Sequence, residues 1–348
     1  MPIVLLIILL NSGFIQRHIP AGTCNGSGYT TTRYNYYFFT YYNDFIEENE
    51  DRLDELGYDS TVSDGEQYVD DEETVTYRDY FLAGGEELLC STQYYLDLAE
   101  AAGYEFSDEE LTAYDDKLAD NEELMTTYGL TESSFYVAYY GVGMTADIYK
   151  AELLKQVKAE AYRDYLLKNT EVSDEEIEEY LAENDVGNYD SVNLSVITMS
   201  ALPDRETDEI DAESLSALQS KLDALEARYE GGATFEELQA AFSDLALGDG
   251  NGSVTGAVDL DLPDVLSAWC VDGQESGDTL VSGDTCAVVD EETGIAYFAV
   301  FDSYGENAGT RTATLAVQES KVSAAETEAL ESDYQYTRNA AGMTLAAK

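Results

Sequence analysis

The spacing of apolar residues changes once along this chain of 348 residues, close to Asn188, and the change separates a helical first half from a mixed second part. Before it, Tyr34, Tyr37, Phe38, Tyr41 and Phe45 recur at intervals of three and four. Tyr80, Phe81, Leu88, Leu89, Tyr95 and Leu98 do the same within a helix expected over 77–102. Aromatic stripes of that period are usually core, because one helix face must be covered. Two further helix starts carry complete capping boxes. Ser107 with Glu110 and Ser173 with Glu176 can each exchange side-chain and backbone hydrogen bonds, while Phe106 with Leu111 and Val172 with Ile177 can close the staple. A short helix over 131–140, a break at Gly141 to Gly143 and a long helix over 145–168 complete the first half.

Beyond Asn188 the pattern alternates. Val192 to Met199 reads as a strand, followed by a helix over 212–229 that places Leu215, Leu218, Leu222 and Leu225 on one side and stops at Gly231 and Gly232. A second helix over 234–242 starts from Thr234 with Glu237 three residues on, and a glycine-rich loop over 248–256 leads into a helix containing Leu266 and Trp269. Strands over 285–289 and 295–301 close the module, which is therefore α+β. A further strand over 312–317 and a helix over 324–334 are expected after it.

The charge balance excludes whole classes of partner. With 72 Asp and Glu against 17 Lys and Arg the formal charge is −55, so no basic surface exists to displace counterions from a nucleic acid, and anionic lipid headgroups are repelled. A solvated acidic surface suits an exported protein. The single histidine, His18, follows directly on the apolar N-terminal run, which rules out Ser-His-Asp and Cys-His catalysis and His-ligated zinc inside the folded part. Cys24, Cys90, Cys270 and Cys286 show no C-x-x-C spacing and are read as free or partly paired; Cys270 with Cys286 as a disulfide, or as two half-buried thiols, are both open. The stretch Asp249 to Ser253 has Val254 and Leu260 where a calcium loop needs glycine and glutamate. No metal and no cofactor is expected.

Ile3 to Leu10 is continuously apolar, and Phe14 and Ile15 extend the run before Arg17 and His18 end it. About 13 helical residues reach roughly 20 Å, short of a bilayer core of about 30 Å. Residues 1–17 are read as a truncated membrane anchor or signal segment, with a buried N-terminal strand as the alternative.

The order strand, helix, helix, helix, strand, strand resembles the parvulin type of peptidyl-prolyl isomerase. Thr234 to Ser243, with Phe235, Leu238 and Ser243, is similar to the parvulin segment before its Gly-rich loop, and Gly277-Asp278-Thr279 resembles the turn before the penultimate strand. Upstream, Ala102-Gly103-Tyr104 with the Ser107 start, Tyr128 to Thr131, and the long helix from Thr145 resemble the helical chaperone domain of the SurA/PrsA foldases. The likeness spans about residues 28–345.

The resemblance implies a chaperone domain over 18–186, a parvulin-like domain over 187–305, and a C-terminal strand and helix over 306–348 packing back on the chaperone domain. It implies a membrane-anchored chaperone or foldase on the extracytoplasmic face, with unfolded or extended exported polypeptides as partners. Parvulins place one histidine where this chain has Val196 and a second where it has Gly294-Ile295-Ala296-Tyr297. No catalytic residue is therefore assigned. Leu260, Val265 and Trp269 match the family's apolar proline pocket and, with Val196, form the candidate substrate-binding set. The alternatives are an active prolyl isomerase and a non-catalytic surface scaffold.

Overall fold

The structure, a computed structural model, describes residues 13–70, 73–184, 186–187, 189–200, 212–242, 252–258, 261–275, 277, 279–291 and 293–347. It is α+β and divides into two compact units. The first comprises Met1–Glu171 with Gln318–Lys348, and the second Val172–Val317. The apolar run over 3–10 lies outside the described residues, and among those that are described no helix is long and apolar enough to cross a membrane.

The first unit opens with a hairpin, β1 (Pro20–Cys24) and β2 (Ser27–Thr30), followed by α1 (Thr31–Glu48) and α2 (Tyr77–Ala102). Threonine sets both helix starts. Thr30 accepts from the Arg33 N–H and Thr76 from the Asp79 N–H, each satisfying a backbone donor that the first turn leaves unpaired. α2 ends at Gly103, whose φ of 64° is the left-handed cap open to glycine. The two helices meet at close range because α2 carries Gly84 and Gly85. A β-carbon on Gly85 would lie 2.8 Å from the Phe38 Cα, and one on Gly84 would collide with the Tyr41 ring.

The remaining helices of this unit are α3 (Thr112–Tyr128), α4 (Glu132–Tyr140) and α5 (Ala146–Asn169), joined by the C-terminal stretch from Gln318. Its core is aromatic. Tyr34, Tyr36, Tyr37 and Phe38 are buried, and Phe81 packs edge-on against Tyr42 at 5.0 Å and Phe45 at 5.2 Å. Burying so many tyrosines requires partners for their hydroxyls. Tyr36 donates to Gln156 at 2.8 Å, Tyr29 to Gln93 at 2.7 Å, and Tyr37 to Glu152 at 3.1 Å. Glu152 is itself only 2% exposed and is paired with Arg33 at 2.6 Å and Lys155 at 2.9 Å, so the buried carboxylate is compensated.

The second unit contains α6 (Asp174–Glu183), β3 (Asp190–Ser200), α7 (Ala212–Glu230), α8 (Phe235–Phe242), β4 (Ser253–Ala257), α9 (Asp264–Cys270), α10 (Asp272–Glu275), β5 (Thr285–Asp290) and β6 (Ile295–Asn307). Its sheet is antiparallel in the order β4-β3-β6-β5. Ile197, Met199, Phe298 and Val300 face Leu218, Leu222 and Leu225 of α7 and Leu238 of α8. Leu194, Val196, Ala299 and Phe301 face the other way, with Leu266 and Cys270 of α9. The helix α11 (Ala308–Glu331) contributes its first residues to this unit and the rest, from Gln318, to the first.

Several expectations are corrected. The Ser107 capping box forms, with Glu110 accepting from the Ser107 N–H at 2.8 Å, yet residues 108–111 are turns and α3 begins only at Thr112. The expected strand over 312–317 is helical. Asn307 accepts from the Thr310 N–H and starts α11, and Ala313 is buried within the stretch, so packing overrides the β-branched Thr312, Thr314 and Val317. The glycine-rich loop over 248–256 ends in β4. β1 and β2, with β7 (Thr337–Arg338), make a sheet in the order β2-β1-β7. Cys24 and Cys90 form a disulfide, their Cα atoms 5.9 Å apart, whereas Cys270 and Cys286 are free.

Candidate functional site

The α9 face of the second unit's sheet is where the candidate residues converge. Val196 is 1% exposed in β3 and lies in one apolar cluster with the half-buried Val265 and Trp269 of α9, together with Leu262, Leu266, Tyr297 and Phe301. Alternation along β3 dictates this, because Val192, Leu194 and Val196 share a face while Ile197 and Met199 share the opposite one. Leu260 lies outside the described residues.

Local contacts hold the pieces in register. The Val196 N–H donates to the Gly252 carbonyl at 2.6 Å, and a β-carbon on Gly252, whose φ is +78°, would collide with the Val196 carbonyl oxygen. Glycine at 252 thus lets the backbone entering β4 approach β3 closely. Gln274 of α10 clamps the start of β3 in both directions, accepting from the Asp190 N–H at 2.8 Å and donating to the Asp190 carbonyl at 2.8 Å. That clamp anchors the segment carrying Trp269 and Cys270. Tyr304 accepts from the Leu280 N–H at 2.8 Å and packs at a tilt on Phe301, ring centroids 4.7 Å apart.

Two strand positions decide what chemistry the face can do. Val196 pairs with Ala299 and joins the α9 side, whereas Ala296 pairs with Met199 and packs on the α7 side with Phe298. Of the stretch 294–297 that resembles the second parvulin histidine site, Ile295 and Tyr297 share the face of Val196 and Ala296 lies on the opposite one. Tyr297 and Thr198 are register partners and both are buried, and burial, followed by the charge of Asp290, pushes the Tyr297 phenol up. The Cys270 thiol, buried and donating to the Leu266 carbonyl at 3.0 Å, is pushed up to about 12, chiefly by burial. Burial also raises Cys286. Neither is a nucleophile at neutral pH. What remains is an apolar surface, partly open at Val265 and Trp269, fit for binding.

Sequence reading missed the Cys24–Cys90 link, since its partners sit 66 residues apart in a strand and a helix with no spacing motif. Among the described residues no group of three or more His, Cys, Asp or Glu is placed to hold a metal ion. Residues 249–251 of the calcium-loop-like stretch lie outside them.

No family model and no curated protein matches the chain. Solved structures do. The foldase protein PrsA from Streptococcus pneumoniae is similar at 13% identity and a TM-score of 0.35, over 78% of this chain and 94% of that one. For peptidylprolyl isomerase PrsA from Bacillus anthracis the identity is 13% and the TM-score 0.27, over 71% and 92%. The foldase protein PrsA from Lactococcus lactis is similar at 12% identity and a TM-score of 0.38, over 93% of this chain and 96% of that one.

Proposed function

We propose that this protein is an extracytoplasmic chaperone that holds extended polypeptides and isomerises prolyl bonds weakly or not at all. Val196 carries the reading. An isopropyl group that can neither donate nor accept a hydrogen bond stands where the parvulin resemblance calls for a ring nitrogen, and it is sealed in the core. Rotation about a prolyl amide breaks no bond and needs only a lowered barrier, against an ordinary one of about 18 to 20 kcal/mol. An apolar slot can desolvate the imide, but the polar network that would orient it has no counterpart at Val196 or Ala296.

Placement outside the cytoplasm is supported by the Cys24–Cys90 disulfide, since such bonds persist in oxidising compartments. The acidic surface favours staying dispersed among sticky clients. Attachment to the membrane through the apolar run over 3–10 belongs to the same proposal.

Two assays on the intact purified chain test it. Aggregation of a reduced or heat-unfolded client, followed by light scattering, is expected to be suppressed at equimolar chaperone. Turnover of a proline tetrapeptide is expected to stay near the uncatalysed rate. Efficient isomerisation in a preparation free of host isomerases would replace this reading with that of an active enzyme; a single saturable partner without client protection would replace it with a scaffold.

A further inference from the structure

The segment over 336–347 is laid against β1, α1 and α2 of the first unit. Most of the grip is on its main chain. The Asn339 N–H donates to the Ala21 carbonyl at 2.6 Å, Thr31 to the Gly342 carbonyl at 3.2 Å, the Ala347 N–H to Asn35 at 2.9 Å, and Arg78 to the Ala347 carbonyl at 3.3 Å. Three side-chain positions are selective. Tyr336 tilts against the Tyr34 ring with centroids 5.4 Å apart, Arg338 donates to both Glu86 carboxylate oxygens at 2.6 and 3.0 Å, and a β-carbon on Gly342 would collide with the Pro20 carbonyl oxygen.

Two features work against this docking, and both belong to the segment rather than to the groove. The Tyr336 hydroxyl is sealed against Gly22 with no hydrogen-bond partner among the described residues. Ala347 has a φ of 56°, in the left-handed region that a β-carbon disfavours. A phenylalanine at the first position and a glycine at the second would keep every contact named above and remove both costs.

We propose that this segment is a releasable strap, and that the groove beneath it receives an extended polypeptide with an aromatic residue, an arginine two positions on and a glycine four positions after that. A strap tethered to its own groove acts at an effective concentration of roughly millimolar, which excludes an untethered chain unless the docking is weak. The orphaned hydroxyl and the left-handed alanine make it weak. Glu86 supplies the charge that answers the incoming arginine, and the main-chain contacts tolerate most of the remaining sequence. That the entering chain is a client rests on the chaperone reading; release of the strap does not.

Hydrogen exchange of the full chain, followed by mass spectrometry, tests release. Tyr336→Phe/Ala347→Gly is expected to slow exchange over 336–347 at least about tenfold relative to α1. Entry is tested with a fluorescent peptide of the sequence 335–347 carrying the same two changes. It is expected to bind the wild-type chain saturably and the double variant about tenfold more weakly. Arg338→Ala or Gly342→Val in the peptide is expected to weaken binding to the wild-type chain by about tenfold. Unchanged exchange in the double variant, no binding of the peptide, or equal binding to the two chains would overturn the strap. Dimerisation of the wild-type chain that the double variant lacks would make the strap of a second copy the occupant and overturn the client. Light scattering of an unfolded client reads the chaperone separately: no protection there, with peptide binding intact, removes the client and leaves the strap.

Discussion

Cys24 of β1 and Cys90 of α2 are joined across 66 residues of chain, and the bond sits beneath the C-terminal segment, the Cys24 sulfur lying 3.4 Å from the Tyr334 carbonyl oxygen. Closing a loop of that length restricts the unfolded chain by about 4 kcal/mol in the loop-entropy account. Reduction with a phosphine, or Cys24→Ser/Cys90→Ser, is therefore expected to lower the melting temperature of the first unit and leave that of the second unchanged. Calorimetry with and without reductant reads both transitions.

Restoring a histidine is expected not to restore an enzyme. Val196→His would bury an imidazole in an apolar cluster at a cost of about 1 to 3 kcal/mol, where Tyr297 on the same face offers a buried phenol and no second ring nitrogen. Stability by urea titration should fall and proline-tetrapeptide turnover should not rise in Val196→His.

Trp269 is the one tryptophan of the chain and is half-buried at the candidate site, so emission excited at the red edge, where tyrosine does not absorb, reports on that face alone. A proline-containing apolar peptide is expected to shift the emission to shorter wavelength on binding. Val265→Ser, on the same helix and equally half-buried, should weaken that response severalfold while the melting temperature changes little. An emission spectrum indifferent to peptide would remove this face as a binding site.

Asp44 of α1 gives a pH dependence whose sign is fixed. Burial raises its pKa, Lys117 partly opposes this, and Glu48, Glu47 and Glu160 add to the rise. A carboxyl that holds its proton more tightly in the folded state makes stability fall as pH rises from the ordinary aspartate range through the raised value. Above that value the penalty is constant. Asp44→Asn is expected to raise the melting temperature at neutral pH, with the gain vanishing below about pH 4, the ordinary carboxylate range.

The helices were legible because their signals are local. Thr30, Thr76, Thr145 and Ser173 each cap a helix that begins at the following residue, and the tyrosine stripe of α1 is core as its spacing predicts. The α9 face was legible from alternation in β3 and from the resemblance, which together bring Val196, Val265 and Trp269 into one cluster. What escaped depends on distant chain. β1 pairs with β7 through Gly22 with Arg338 and Thr23 with Thr337, and no window around Gly22 contains that information. Thr312 to Val317 has strand composition but is helical, because the cap from Asn307 and the burial of Ala313 decide the matter. The opposite facing of Val196 and Ala296 is likewise a property of pairing register, which residue types at the two positions do not reveal.

The division of the first unit into two stretches of chain has a consequence in time. Thr31 donates to the Gly342 carbonyl across 311 residues, and Asn35 accepts from the Ala347 N–H across 312. A polypeptide delivered from its N-terminus emerges with β1 and β2 long before β7 exists to complete their sheet. Until the whole second unit has followed, the first is a half-built receptor for its own tail. Contacts of such separation form slowly, so the newborn protein is expected to pass through an interval in which it is itself a client.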